Sequence, residues 1–511
     1  MRTLFLSLQD LLGKEYTEAV CAAQAYLTGS DVAVLREIAG KKVDFYPESL
    51  QARLSSLLPD TGTAVLPEFP KALAGAGSAS FSQATRIGMA PLAALGFFRT
   101  GENGRLYLTT KSEHYHASLG HNFPGFELIE YAKKLGIAQI THNNTRGFIS
   151  RLLERELIRC VNSLPAGDDE ALERVLASSS PKTLNRVINL QTGSLAVEAA
   201  LKMVLARFYR FQDSDPQPEY AGRIPVILVM ADNSGGRSAN YHGTAFITQL
   251  LRGLWPDFLA SLEKNGMVRV APVRINDIGH FRETAETYDK PPFKAAAFFH
   301  EIILMNYGAV RLTKEYLTAA HAVCAAGDIP TVVDEIQSSI WYPGLFLFKE
   351  YGLEPDFVSV GKGFPGGQYA SSRIITTPKL DTLSQFGALV TNGQEELSSL
   401  AYLITMAFAS ANEEHIRTTG LYYEQKLAEL KARHPDVITE VEGKAHLSSL
   451  FFKTAGDADN FSQKLNRLGI DISAHTYKAN SAPSALTKLP LTADRTMIDF
   501  LISRMEEALK D

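Results

Sequence analysis

From about Val187 onward, short apolar runs rich in β-branched residues alternate with longer stretches of helical periodicity. That alternation restricts the chain to strands joined by crossover helices in a mostly parallel sheet, because only strands covered on both faces can be apolar throughout. The runs lie at residues 187–190, 224–231, 268–273, 295–303, 330–336, 357–360 and 373–376. After Leu397 the pattern becomes long and helical, and then mixed α+β. Upstream, residues 1–59 have helical spacing broken by turns at Gly29-Ser30 and Pro47-Glu48, and the Gly/Ala/Ser-rich stretch 72–82 reads as a linker.

With 511 residues the chain has room for two or three packed units. A formal net charge of -5 gives no basic surplus for nucleic acid or an anionic membrane, so neither is expected as a partner. Cys21, Cys160 and Cys324 are scattered and form no metal-binding spacing, so no metal is expected. The apolar start is cut short by Gln9-Asp10, and no run of about 18 apolar residues follows. A cytoplasmic protein with reduced thiols is the expectation.

Four short segments carry chemistry. The run ending in Val332-Val-Asp-Glu-Ile-Gln337 places Asp334 at the carboxyl end of a strand, where open α/β sheets bind ligands. The next run leads into Gly361-Lys362-Gly363, a lysine between residues that tolerate tight turns. Gln191-Thr-Gly-Ser194 precedes a helix whose apolar stripe is Val197, Leu201, Val204, Leu205 and Phe208. The helix start offers free N–H groups, a positive dipole end and the Ser194 hydroxyl to a phosphate. Tyr241-His242-Gly243 offers a ring to stack on a planar heterocycle. Taken singly, each has an ordinary explanation as a cap, a turn or a surface loop.

Taken in order, the segments resemble the class III (ornithine or ω-type) aminotransferases of pyridoxal 5'-phosphate (PLP) fold type I, over roughly residues 105–505. Thr192-Gly-Ser194 with Ala196-Val-Glu-Ala-Ala200 is similar to the family's phosphate loop and helix, and Tyr241-His-Gly243 to its ring-stacking motif. Glu301 sits like the acid on an earlier strand, and Val333-Asp-Glu-Ile-Gln337 resembles the aspartate strand. Lys362, 28 residues after Asp334, matches the Schiff-base lysine, and Thr391-Asn-Gly393 resembles the turn that reaches the neighbouring subunit's phosphate.

The resemblance implies an α/β fold with a mostly parallel seven-stranded sheet, helices on both faces and a smaller α+β domain. It also implies an N-terminal helical extension and linker at 1–85, the first part of the small domain at 86–140, the PLP-binding domain at 141–398 and the rest of the small domain at 399–511. Lys362 and Asp334 are the implied catalytic pair, Lys362 carrying PLP and moving a proton, Asp334 protonating the ring nitrogen. Gly193, Ser194 and a partner subunit's Thr391 would bind phosphate, Tyr241 and His242 would lie against the cofactor with Glu301 nearby, and Gln337 would reach its phenolic oxygen. A homodimer with shared sites follows, moving an amino group from a small amine or amino acid to an oxo acceptor. A PLP-dependent isomerase of the same fold is the competing reading, followed by a non-catalytic binding protein. The chain departs from the family pattern at Leu195, Ile302 and the segment 338–344, where Trp341 and Tyr342 either line a substrate entrance or pack in the core. It departs again near the C-terminus, where Lys488 is offset from the usual carboxylate-binding arginine.

Overall fold

The computed structural model describes residues 1–510 apart from 72, 74, 83–85, 142 and 477–480. Of the expected linker, residues 72 and 74 therefore lie outside the described residues, as does the boundary expected at 85. The chain divides into two compact units. One comprises Met1–Leu6, Lys42–Glu127 and Glu414–Asp511, the other Ser7–Lys41 and Leu128–Glu413.

These limits differ from the four segments read from the sequence. Helices Leu8–Leu12, Lys14–Thr28 and Val32–Gly40 belong to the larger unit, where Tyr16 stacks on Phe148 with ring centroids 4.3 Å apart. The later limit moves from 398 to 413 because helix Glu396–Ala411 is buried along most of its length. Its first residue also caps helix Phe148–Val161, Glu396 accepting from the Ile149 and Ser150 N–H groups at 2.7 and 3.2 Å.

The larger unit is built on seven strands: β1 (Arg186–Leu190), β2 (Ile224–Met230), β3 (Arg269–Val273), β4 (Phe293–His300), β5 (Thr331–Asp334), β6 (Phe357–Val360) and β7 (Ser372–Thr376). Their order across the sheet is β1-β7-β6-β5-β4-β2-β3. Only β7 runs antiparallel to its neighbours, and the mostly parallel α/β architecture is as expected. Every residue of β5 and β6 is buried, which is why these strands read as continuous apolar runs instead of alternating ones.

Two strands stop sooner than their runs. β4 closes at His300, with Ile303–Leu304 turning aside to pair with Val310–Arg311, and β5 closes at Asp334. Glu301, Asp334 and the turns after β1 and β6 consequently stand at one carboxyl edge of the sheet. Helix α1 (Gly193–Leu205) follows β1 and buries Val197, Leu201 and Val204; Phe208 is buried too, though it lies beyond the helix end.

The smaller unit is α+β. One antiparallel sheet joins Ile438–Lys444, Leu447–Phe452, Ser484–Lys488 and Ala474–His475, and helix Ala455–Arg467 packs on it. Ser112, Glu113, His114 and Tyr115 are consecutive residues with positive φ, a conformation that costs about 1–2 kcal/mol for each L residue. Ser112 Oγ donates to the Lys488 carbonyl at 2.6 Å, and Lys488 Nζ returns a bond to the Tyr115 carbonyl at 3.3 Å. Among the described residues no helix is long and apolar enough to cross a membrane.

Candidate active site

The edge of the sheet positions the acid first. β5 and β6 run parallel with Asp334 opposite Ser359, so both side chains rise on the same face. Asp334 Oδ1 accepts from Ser359 Oγ at 2.7 Å and from the Ile336 N–H at 3.2 Å, while Oδ2 lies 2.9 Å from His242 Nδ1. A carboxylate oxygen only accepts, so Nδ1 is the nitrogen of His242 that carries the proton. His242 is buried, and among the described residues its Nε2 has no hydrogen-bond partner.

The lysine comes next. Lys362 itself takes a left-handed backbone, φ 38°, while its flanking glycines serve close packing. A Cβ on Gly361 would strike Ser372 Oγ, and one on Gly363 would strike the Trp341 ring. The value of both glycines here is the missing side chain. Lys362 Nζ donates to Gln337 Oε1 at 3.2 Å. Burial lowers its pKa and the neighbouring Glu301 and Asp334 carboxylates partly restore it, leaving the amine at about 8.

The two remaining motifs meet each other. Thr192 caps α1, and the Ser194 hydroxyl oxygen accepts the Thr244 N–H at 2.9 Å. Gly243, with φ +92°, lies so close to Ser194 that a Cβ there would stand 2.5 Å from its Cα. Gly193 packs on Ile336, which also touches Gly361, so one isoleucine joins the turn after β1, the aspartate strand and the lysine turn. The loop before Tyr241 is wound around Asp232. Burial would raise that carboxyl, but hydrogen bonds from Ser238 and Ser234, with the Gly236 N–H, hold it down at about 2. Half-buried Tyr241 has the Arg252 guanidinium over its ring, 5.0 Å from the centroid.

Asp334, Lys362, Gln337, Glu301 and His242 are thus gathered at one edge, with Gly193, Ser194 and Tyr241 on adjoining turns. Thr391 is exposed, and the backbone of its turn packs through Gly393 on Leu190 and Gln191. Trp341 and Tyr342 are buried and belong to the core, not to an entrance. Lys488 is fully buried and committed to the 112–115 turn. Two side chains escaped the sequence reading. Ser359 left a trace, as the single polar residue in the apolar run 357–360, whereas Arg252 left none because its partner is set by a loop.

Residues 84–509 match the family described as Aminotransferase class-III. The chain belongs to the class-III aminotransferases. Among relatives of this class-III aminotransferase, the putrescine aminotransferase of Pectobacterium atrosepticum is 24% identical over 76% of the chain and 79% of its own length. An acetylornithine aminotransferase of Brucella melitensis is 22% identical over 70% and 78%. Among solved structures, adenosylmethionine-8-amino-7-oxononanoate aminotransferase from Methanocaldococcus jannaschii superposes with a TM-score of 0.66 at 17% identity, covering 90% of this chain and 99% of that one. Ornithine aminotransferase from Plasmodium yoelii gives 0.64 at 16% identity, covering 90% and 98%.

Class-III aminotransferases are PLP-dependent enzymes that transfer amino groups, and this site fits that cofactor. A buried acid ends one strand and an amine held at about 8 follows the next, while the start of α1, with the Ser194 hydroxyl, stands on an adjoining turn at the same edge of the sheet. Neighbouring backbone is drawn too close at Gly243 for any other residue.

Proposed function

We propose that Lys362 is the residue to which PLP attaches, and that this site moves an amino group from an amine or amino acid to an oxo acceptor. The observation that carries the reading is the position of Nζ: half-buried, at a pKa of about 8, beside the amide of Gln337 and within the field of Asp334 and Glu301. An amine so lowered is a usable nucleophile and base near neutral pH. When bound, PLP supplies an electron-withdrawing ring next to the substrate carbon that bears the amino group. Lys362 Nζ takes up and returns the proton of that carbon. Asp334 keeps a proton at the ring nitrogen, with His242 behind it. Gln337 orients the phenolic oxygen, Tyr241 covers a ring face, and Gly193, Ser194 and Thr391 of the partner subunit hold the phosphate.

A homodimer is part of this proposal. It is supported by large apolar side chains left exposed on elements packed against α1: Phe246 at 48% and Phe386 at 88%, with Trp255 at 53% beside Phe246. The cytoplasm is the proposed compartment, supported by three free cysteines, of which Cys21 and Cys324 are buried.

The test is Lys362→Ala with borohydride trapping of the parent enzyme. The variant is expected to fold, to lack the visible absorption of attached cofactor and to lose turnover, while trapping labels the peptide containing Lys362. A label on another peptide, or an active yellow variant, overturns the assignment.

A further inference from the structure

We infer that Ser359 is a positioning residue for the reaction: its hydroxyl sets the direction in which Asp334 presents its free lone pair. The inference rests on the reading of Asp334 as the acid at the cofactor ring nitrogen.

β6 is apolar except for this serine, and Ser359 is fully buried. A hydroxyl buried in a parallel strand has to find an acceptor or lose its hydration without return. Its acceptor here is a carboxylate, not a backbone carbonyl, at 2.7 Å. The parallel register of β5 and β6 puts Ser359 directly opposite Asp334, and the Glu335 N–H bonded to the Ser359 carbonyl at 3.2 Å locks that register locally.

Among the described residues, three donors therefore grip Asp334. Ser359 and the Ile336 N–H hold Oδ1, and His242 holds one side of Oδ2. A carboxylate offers about four lone-pair positions, so the one left over lies on Oδ2. Of the two bonds on Oδ1 the backbone one is the longer, at 3.2 Å, so without the serine the group turns more freely about Cβ–Cγ and its open position loses its aim. Ser359 also stands three residues before Lys362, on the strand that leads into the lysine's turn, which ties the acid to the segment that carries the amine. The titratable groups around this carboxylate are His242, Glu335 and Lys362, with Glu301 acting on Lys362.

The experiment compares the parent holoenzyme with Ser359→Ala, Ser359→Thr and Asp334→Asn. Three quantities are read: the pH midpoint of the bound cofactor's visible band without substrate, the maximal rate and KM of the half-reaction with an amino donor, and the melting curve of each apoenzyme. Ser359→Ala is expected to fold and bind PLP, and to shift the band midpoint in the same direction as Asp334→Asn but by less. Its half-reaction rate falls about tenfold, as loss of a hydrogen bond to a charged group predicts, with KM within about twofold. Ser359→Thr restores both band and rate. If Asp334→Asn moves the midpoint while Ser359→Ala matches the parent in band and rate, the inference is wrong and the reading of Asp334 stands. If Asp334→Asn leaves the midpoint in place, that reading itself fails. Should Ser359→Ala not fold, Ser359→Cys, a weak donor of similar size, takes its place under the same criteria.

Discussion

Gly243→Ala tests whether the Tyr241-His242-Gly243 turn and the phosphate turn form one rigid unit. The added methyl would stand 2.5 Å from Ser194 Cα and 2.7 Å from its Cβ, so no side-chain rotation relieves it, and φ is +92°. Positive φ in an L residue costs about 1–2 kcal/mol and forced overpacking about 1–3 kcal/mol. Loss of the Thr244 N–H bond to Ser194 Oγ adds about 1 kcal/mol. The total is about 3–6 kcal/mol, which for a unit of roughly 300 residues lowers the apparent melting midpoint by about 4–9 °C. If the backbone relaxes instead of unfolding, the displacement falls on Ser194, and affinity for PLP drops more than affinity for pyridoxal, which has no phosphate. Calorimetry of the apoenzyme and titration with both compounds read the two effects. A variant with the parent's midpoint and the parent's preference for the phosphorylated compound refutes the reasoning.

Labelling of Lys362 in the apoenzyme by an amine-directed reagent, followed by peptide mass spectrometry, is expected to be half-maximal near pH 8, against the usual lysine value of 10.5. Because Glu301 raises that value, Glu301→Gln moves the midpoint further down; an upward shift contradicts the electrostatics. Glu335 is fully buried, and burial pushes its carboxyl up to about 7 despite hydrogen bonds from Ser338 and the Phe348 N–H. Its folded value exceeds the unfolded 4.5, so the stability it lends is complete below that pH and is lost as pH rises through 7, about 3 kcal/mol in all. Glu335→Gln should flatten the decline of the melting midpoint between those pH values, and an unchanged slope would show that another group causes it. Lys488→Met removes the bond to the Tyr115 carbonyl, and hydrogen exchange over residues 112–117 is expected to accelerate. Unchanged protection there would mean that the Ser112 Oγ bond to the backbone carbonyl of residue 488 and the Arg99–Glu113 pair at 2.6 Å suffice to hold the strained turn.

Sequence alone determined the sheet and named most of the residues that the fold gathers at its edge. Strands buried on both faces must be apolar throughout, so β2, β4, β5 and β6 announced themselves, and Asp334 and Lys362 stood out as the polar residues that end such runs. Motif order then tied the chain to a family that residues 84–509 match. Tertiary structure decided what depends on partners distant in sequence. Register set Ser359 against Asp334, a loop wound on Asp232 carried His242 to the same carboxylate, and the Trp341 ring explained Gly363. The limits of the units also followed from packing, since the burial of helix Glu396–Ala411 and the contact of Tyr16 with Phe148 leave no local mark. Periodicity reports which face of an element is dry; only the assembled sheet reports which side chain waits on the neighbouring strand.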